Sequence, residues 1–213
     1  MLLYIILFFY GVFSVPPTDP IVSFSAINEI LRIFTHIIPG LALIWYLILE
    51  KKSLYVSVKE LKPKKEDLVS FALGFPGLIL IGAAVSLLAN FVTASSPSLP
   101  GIIFEPPENI TGWIIIIIAC FGTGYLEESY FRFYLLQKFE TSIPFTLPRI
   151  LFPALLFAAC HSYEGPWGII SAALSGIYLS VLFLKHKTLH GISWAHACYN
   201  IFVYVWFGLK SIS

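Results

Sequence analysis

The sequence predicts an all-α, polytopic bundle of about seven transmembrane helices, and three observations carry that expectation. The chain is 58% hydrophobic and only 12% charged, about half the charged share of an ordinary soluble domain, and its mean hydropathy is +0.85. Apolar stretches long enough to form helices succeed one another along all 213 residues. Ten of the thirteen lysines and arginines fall in three alternate linkers between those stretches. A lipid interior offers the backbone no water, so each stretch must satisfy its own hydrogen bonds as a helix.

The elements follow in order. Residues 1–15 are apolar but lack a basic leader, and Pro16 and Pro17 stand where a small-residue cleavage site would be. They read as a retained first helix rather than a signal peptide, short for a full crossing. The second segment, 26–49, opens on a polar stripe of Asn28, Glu29, Arg32 and His36. That stripe suits a partly solvated helix start, with Glu29 and Arg32 spaced to pair. Segments 68–92, 111–138, 149–163, 167–184 and 190–209 complete the set. Pro39, Pro76 and Pro153 fall inside segments and are expected to kink them. Gly168, Ala172, Gly176 and Ser180 form a small-residue stripe that permits close helix contact. The whole chain, 1–213, reads as one integral-membrane domain.

Basic residues set the orientation. Linkers 50–67, 138–149 and 185–189 hold the ten, whereas 16–25, 93–110 and 163–166 hold none. The positive-inside rule places the first three in the cytoplasm and the C-terminus outside. Trp113, Trp167 and Trp206 then fall at outer helix ends and Trp45 near an inner one. A net charge of +1 gives no argument for nucleic acid as a partner; the partners expected are membrane lipids and a peptide or protein substrate. Cys120, Cys160 and Cys198 lie in apolar segments without CxxC spacing and read as small core residues. Asn109-Ile110-Thr111 is a formal glycosylation sequon at the membrane boundary, read as a chance match.

Chemistry concentrates in the second half. Glu127, Glu128 and Arg132 follow an apolar run inside one predicted span, and charge in hydrocarbon is a functional signal by default. Glu128 and Arg132 are four apart and share a helix face, a brace for the bundle. Glu127 is left without a cation on its own helix. Phe157 and His161 lie four apart in the fifth apolar segment, 149–163, and His196 and Asn200 lie four apart in the last. Counted at about 1.5 Å per residue, Glu127 and His161 both sit about 18 Å above the cytoplasmic boundary. His196 and Asn200 lie about 10–16 Å above it on the same scale. Four polar groups from three helices thus share one layer.

Glu127-Glu128-x-x-x-Arg132, Phe157-x-x-x-His161 and His196-x-x-x-Asn200 resemble the three motifs of the CPBP intramembrane proteases, also called Abi or type II CAAX prenyl endopeptidase-like. The motifs cover 127–200. Phe133 departs from the pattern, since many members carry glycine after the arginine. The resemblance implies an intramembrane endopeptidase of a bacterial cytoplasmic membrane, acting on a substrate with or without a lipid. It implies Glu127 and His161 on the attacking water, and His196 with Asn200 as oxyanion donors. Glu128, Arg132 and Phe157 are the supporting residues. No cofactor is favoured. A zinc ion held by Glu127, His161 and His196 is the alternative, although no His-Glu-x-x-His helix is present. The alternative functions are a non-catalytic membrane scaffold or bacteriocin self-immunity protein, and a transporter with Glu127 as its proton site.

Overall fold

The computed structural model describes residues 21–50, 62–93, 103–140 and 146–212. Six helices run through them: α1 (Ala26–Glu50), α2 (Lys65–Thr93), α3 (110–140), α4 (Thr146–Cys160), α5 (Gly165–His186) and α6 (His190–Ile212). The expected first helix, 1–15, and Lys51, Lys52 and Lys59 of the basic linker lie outside the described residues. Four helical stretches, Ala26–Glu50, Lys65–Val92, Ile110–Phe139 and Ser162–His186, are long and apolar enough to cross a membrane. Leu80, Leu87 and Phe91 of α2 stand exposed, as lipid-facing side chains do in a helical integral membrane protein.

Local chemistry sets the helix ends. Ser25 caps α1 by accepting from the Asn28 amide. Asn109 caps α3 by accepting from the Gly112 amide at 2.9 Å, so the sequon asparagine serves as a helix cap. Lys187, in the left-handed conformation with φ 53°, closes α5. Buried Asp67 joins two helix starts, accepting from the Gly191 amide of α6 at 3.0 Å and the Lys64 amide at 2.8 Å.

Three features depart from the expected regular helices. A two-residue parallel ladder pairs Ile21–Val22 with Ile103–Phe104, in register Ile21 to Ile103. It ties together the segments that lead into α1 and α3. Wider π-type turns occupy Ile33–Ile37 in α1 and Ser129–Leu136 in α3. The first directly precedes Pro39, whose ring would otherwise strike the carbonyl four residues back. Finally, α4 ends at Cys160, short of the expected 163, and a 3₁₀ turn, Ser162–Glu164, leads into α5. Gly165 at φ 81° reverses the chain there, and Pro166 cannot donate the amide that a continuing helix would need.

The core gathers around the π segment of α3. Phe131, Phe133 and Leu136 are fully buried against Ile44 and Ile48 of α1, Phe157 of α4, and Leu179 and Phe183 of α5. Helix α6 packs along α2 and α3, and α4 along α5. The small-residue stripe of α5 lies in this packing. A Cβ at Gly176 would stand 3.2 Å from the Ala154 Cα of α4 and 3.4 Å from Arg132 Nη2.

Candidate active site

Glu127 and Glu128 are the last turn of regular α-helix before the π segment. Arg132 lies inside that segment, fully buried, and its Nη1 donates to Glu128 Oε1 at 2.8 Å. Its Nη2 donates to the Gly176 carbonyl at 3.3 Å, and the guanidinium lies over the Phe157 ring, 4.6 Å from its centroid. Charge in a lipid-embedded core is tolerated when paired and hydrogen-bonded, and here the guanidinium has a carboxylate, a carbonyl and a ring face.

Glu128 does more than brace. The same Oε1 that receives Arg132 also receives His196 Nδ1 at 2.8 Å. An ionised carboxylate only accepts, so this bond puts a hydrogen on Nδ1. The other ring nitrogen, Nε2, then faces Glu127, whose Oε2 stands 3.5 Å away. The Glu127 side chain is 20% exposed, while Glu128 and Arg132 are wholly buried. Of the two carboxylates, Glu127 is thus the one a substrate or water can approach. Spacing along one helix could suggest the Glu128–Arg132 pair; the His196 bond spans 68 positions in sequence and required the α3–α6 packing to be seen.

That packing is close. A Cβ at Gly124 would stand 2.8 Å from the Ser193 carbonyl oxygen and 3.2 Å from the Ala197 amide of α6. Gly124→Ala is therefore expected to push α6 from α3, lowering stability by about 1–3 kcal/mol and loosening His196 against Glu127. Thermal denaturation in detergent checks the first effect.

His161 sits just past the end of α4, in the turn rather than the helix. Its Nδ1 bonds the Phe157 carbonyl at 2.8 Å. A carbonyl only accepts, so Nδ1 is the donor, and Nε2 of the neutral ring keeps its lone pair. Phe157 links the two histidines, with centroids 4.5 Å from His161 and 5.9 Å from His196. Asn200 lies one turn beyond His196 on α6, half-buried, without a side-chain hydrogen bond among the described residues. Glu127, Glu128, Arg132 and His196 thus meet directly, and His161 joins through Phe157.

Tyr163 was not singled out from sequence. Its ring stacks near His161, with centroids 6.2 Å apart, and it lies within electrostatic reach of Glu127. An aromatic two positions past a motif histidine was the available signal. Among the described residues, no three His, Cys, Asp or Glu side chains gather closely enough to hold a metal ion.

No curated protein and no solved structure matches the chain significantly. Residues 109–202, which carry Glu127, His161, His196 and Asn200, match the Rce1-like family model, described as type II CAAX prenyl endopeptidase Rce1-like.

Proposed function

We propose that this protein is an intramembrane endopeptidase that hydrolyses a peptide bond with water activated by Glu127, in a cavity near the cytoplasmic side. The observation that supports this most is the Glu128 carboxylate shared by Arg132 and His196, which aims His196 Nε2 at Glu127. Glu127 takes a proton from the water while the Nε2 lone pair of His161 receives the water's second hydrogen bond. The water oxygen bonds to the scissile carbonyl carbon. Nε2–H of His196 and the Asn200 amide then donate to the oxyanion. Glu127 passes its proton to the amine nitrogen as the C–N bond breaks.

His196 donates from Nε2 as an imidazolium, because Nδ1–H is already engaged by Glu128. Charge balance favours that form. Two carboxylates against one guanidinium leave one negative charge, which the imidazolium neutralises. The oxyanion forms beside this cation, where preorganised donors act without waiting for solvent to reorient.

The function is tested with purified protein in proteoliposomes and an internally quenched peptide ending in a CAAX-type tetrapeptide, prenylated or not. Cleavage is expected, and the two peptides show whether the lipid is needed. Asn200→Ala is expected to lower kcat by about 10²–10³-fold with KM nearly unchanged, as for the loss of one oxyanion donor. An equal fall in affinity would make Asn200 a substrate-binding residue instead. No step passes through a metal. Protein stripped with a chelator is expected to keep its activity, and complete loss restored by zinc alone would overturn the metal-free reaction.

A further inference from the structure

The face of α1 formed by Glu29, Arg32 and His36 has no part in the chemistry above and lies outside residues 109–202. Its first two members are held in place. Arg32 bonds Glu29 Oε2 at 2.7 Å and reaches Thr123 Oγ1 of α3 at 2.8 Å. Glu29 also lines a pocket with Ser23, Ser25, Asn28, Glu105 and Tyr204.

From that level, three helices carry polar groups in steps toward Glu127. On α1, His36 lies four residues past Arg32, about 6 Å along the axis. On α3, Glu127 lies four residues past Thr123, the residue Arg32 holds, again about 6 Å. On α6, which runs the opposite way, Asn200 and His196 lie four and eight residues from Tyr204, about 6 and 12 Å along one face. Close packing on both sides of His36 sets it level with Gly122, about 8 Å along the axis from Glu127. Ile37 fills the space beside Gly122, and Leu126 that beside Gly40. His36 is also within electrostatic reach of Arg32 and Glu127.

Three of these groups have side-chain atoms that make no hydrogen bond among the described residues. His36 and Asn200 are half-buried, and neither has a side-chain hydrogen bond among the described residues. Glu127 Oε2 is buried and makes no hydrogen bond among the described residues, with His196 Nε2 3.5 Å away. Unpaired polar groups are costly against hydrocarbon and inexpensive against water. Their succession along three packed helices toward Glu127 makes water the consistent neighbour.

We propose that this face of α1, with Tyr204 and Asn200 across from it, walls a water path from the pocket to Glu127, and that the hydrolytic water arrives along it. The last clause rests on Glu127 activating water; the path itself can be read without any proteolysis.

The test is thiol labelling in vesicles with the water-soluble reagent methanethiosulfonate ethylammonium, present on both faces. Cys120, Cys160 and Cys198 are first replaced by alanine. A single cysteine is then placed by His36→Cys or, as a lipid-facing control, by Phe34→Cys at a position 67% exposed. The His36→Cys thiol is expected to react about tenfold faster or more, since only a hydrated thiol ionises to the reactive thiolate. Plugging the pocket with Asn28→Trp, or with Ser25→Trp should the first variant fail to fold, is expected to slow that labelling severalfold. Labelling as slow as at Phe34→Cys would overturn the path, and so would fast labelling that neither plug slows. Fast, plug-sensitive labelling in a protein that cleaves nothing would keep the path and remove the proteolytic reading.

Discussion

Glu127→Gln is expected to lower kcat by about 10²–10⁴-fold, the range for losing a positioned general base, while leaving the fold intact. The amide keeps the shape of the carboxylate but cannot take the proton from water. Glu127 is partly exposed and lies outside the hydrogen bond that ties Glu128 to Arg132, so the melting temperature should hardly move. KM should also change little, because the lost interaction develops in the transition state. Initial rates in proteoliposomes with a parallel denaturation curve check both halves. A large stability loss would instead make Glu127 part of the bundle's scaffold.

Glu128→Gln is expected to damage both stability and turnover. It leaves the fully buried Arg132 without its counter-charge, and removing one partner of a buried ion pair costs about 3–5 kcal/mol. It also removes the charged acceptor of His196 Nδ1. A carboxylate that holds a catalytic imidazole in position can be worth on the order of 10²–10⁴-fold in rate. The two roles can be separated. In the double variant Glu128→Leu/Arg132→Leu, apolar groups replace both charges, and much of the stability should return. Activity should not return, because His196 still lacks its acceptor. Recovery of both together would reduce Glu128 to a brace.

Much of this architecture is written in single-helix patterns. Apolar run lengths and polar breaks place the six described helices, with ends shifted by a few residues where a cap or turn intervenes. The Glu128–Arg132 pair and the Glu29–Arg32 pair follow from spacing on one helix. What spacing along one helix could not reveal depends on contacts between helices or on backbone detail. The ladder at Ile21–Val22 is too short to show an alternating pattern. The π turn before Pro39 had a visible cause in the proline, but nothing in the run from Ser129 to Leu136 marks the second. His161 leaves its helix because Gly165 and Pro166 reverse the chain, and apolar content alone ran past that point. Most consequential is Glu128. Its i+4 arginine explained it fully within one helix and so concealed its bond to His196 on another.

The most direct measurement compares peptide termini in membranes that express the wild-type protein or Glu127→Gln at matched abundance. Wild-type membranes are predicted to contain at least one cleaved terminus that is absent from the variant, with the intact precursor accumulating in its place. Identical termini in the two membranes, with the biological effect of the protein preserved, would contradict Glu127-dependent proteolysis and point to a non-catalytic membrane scaffold.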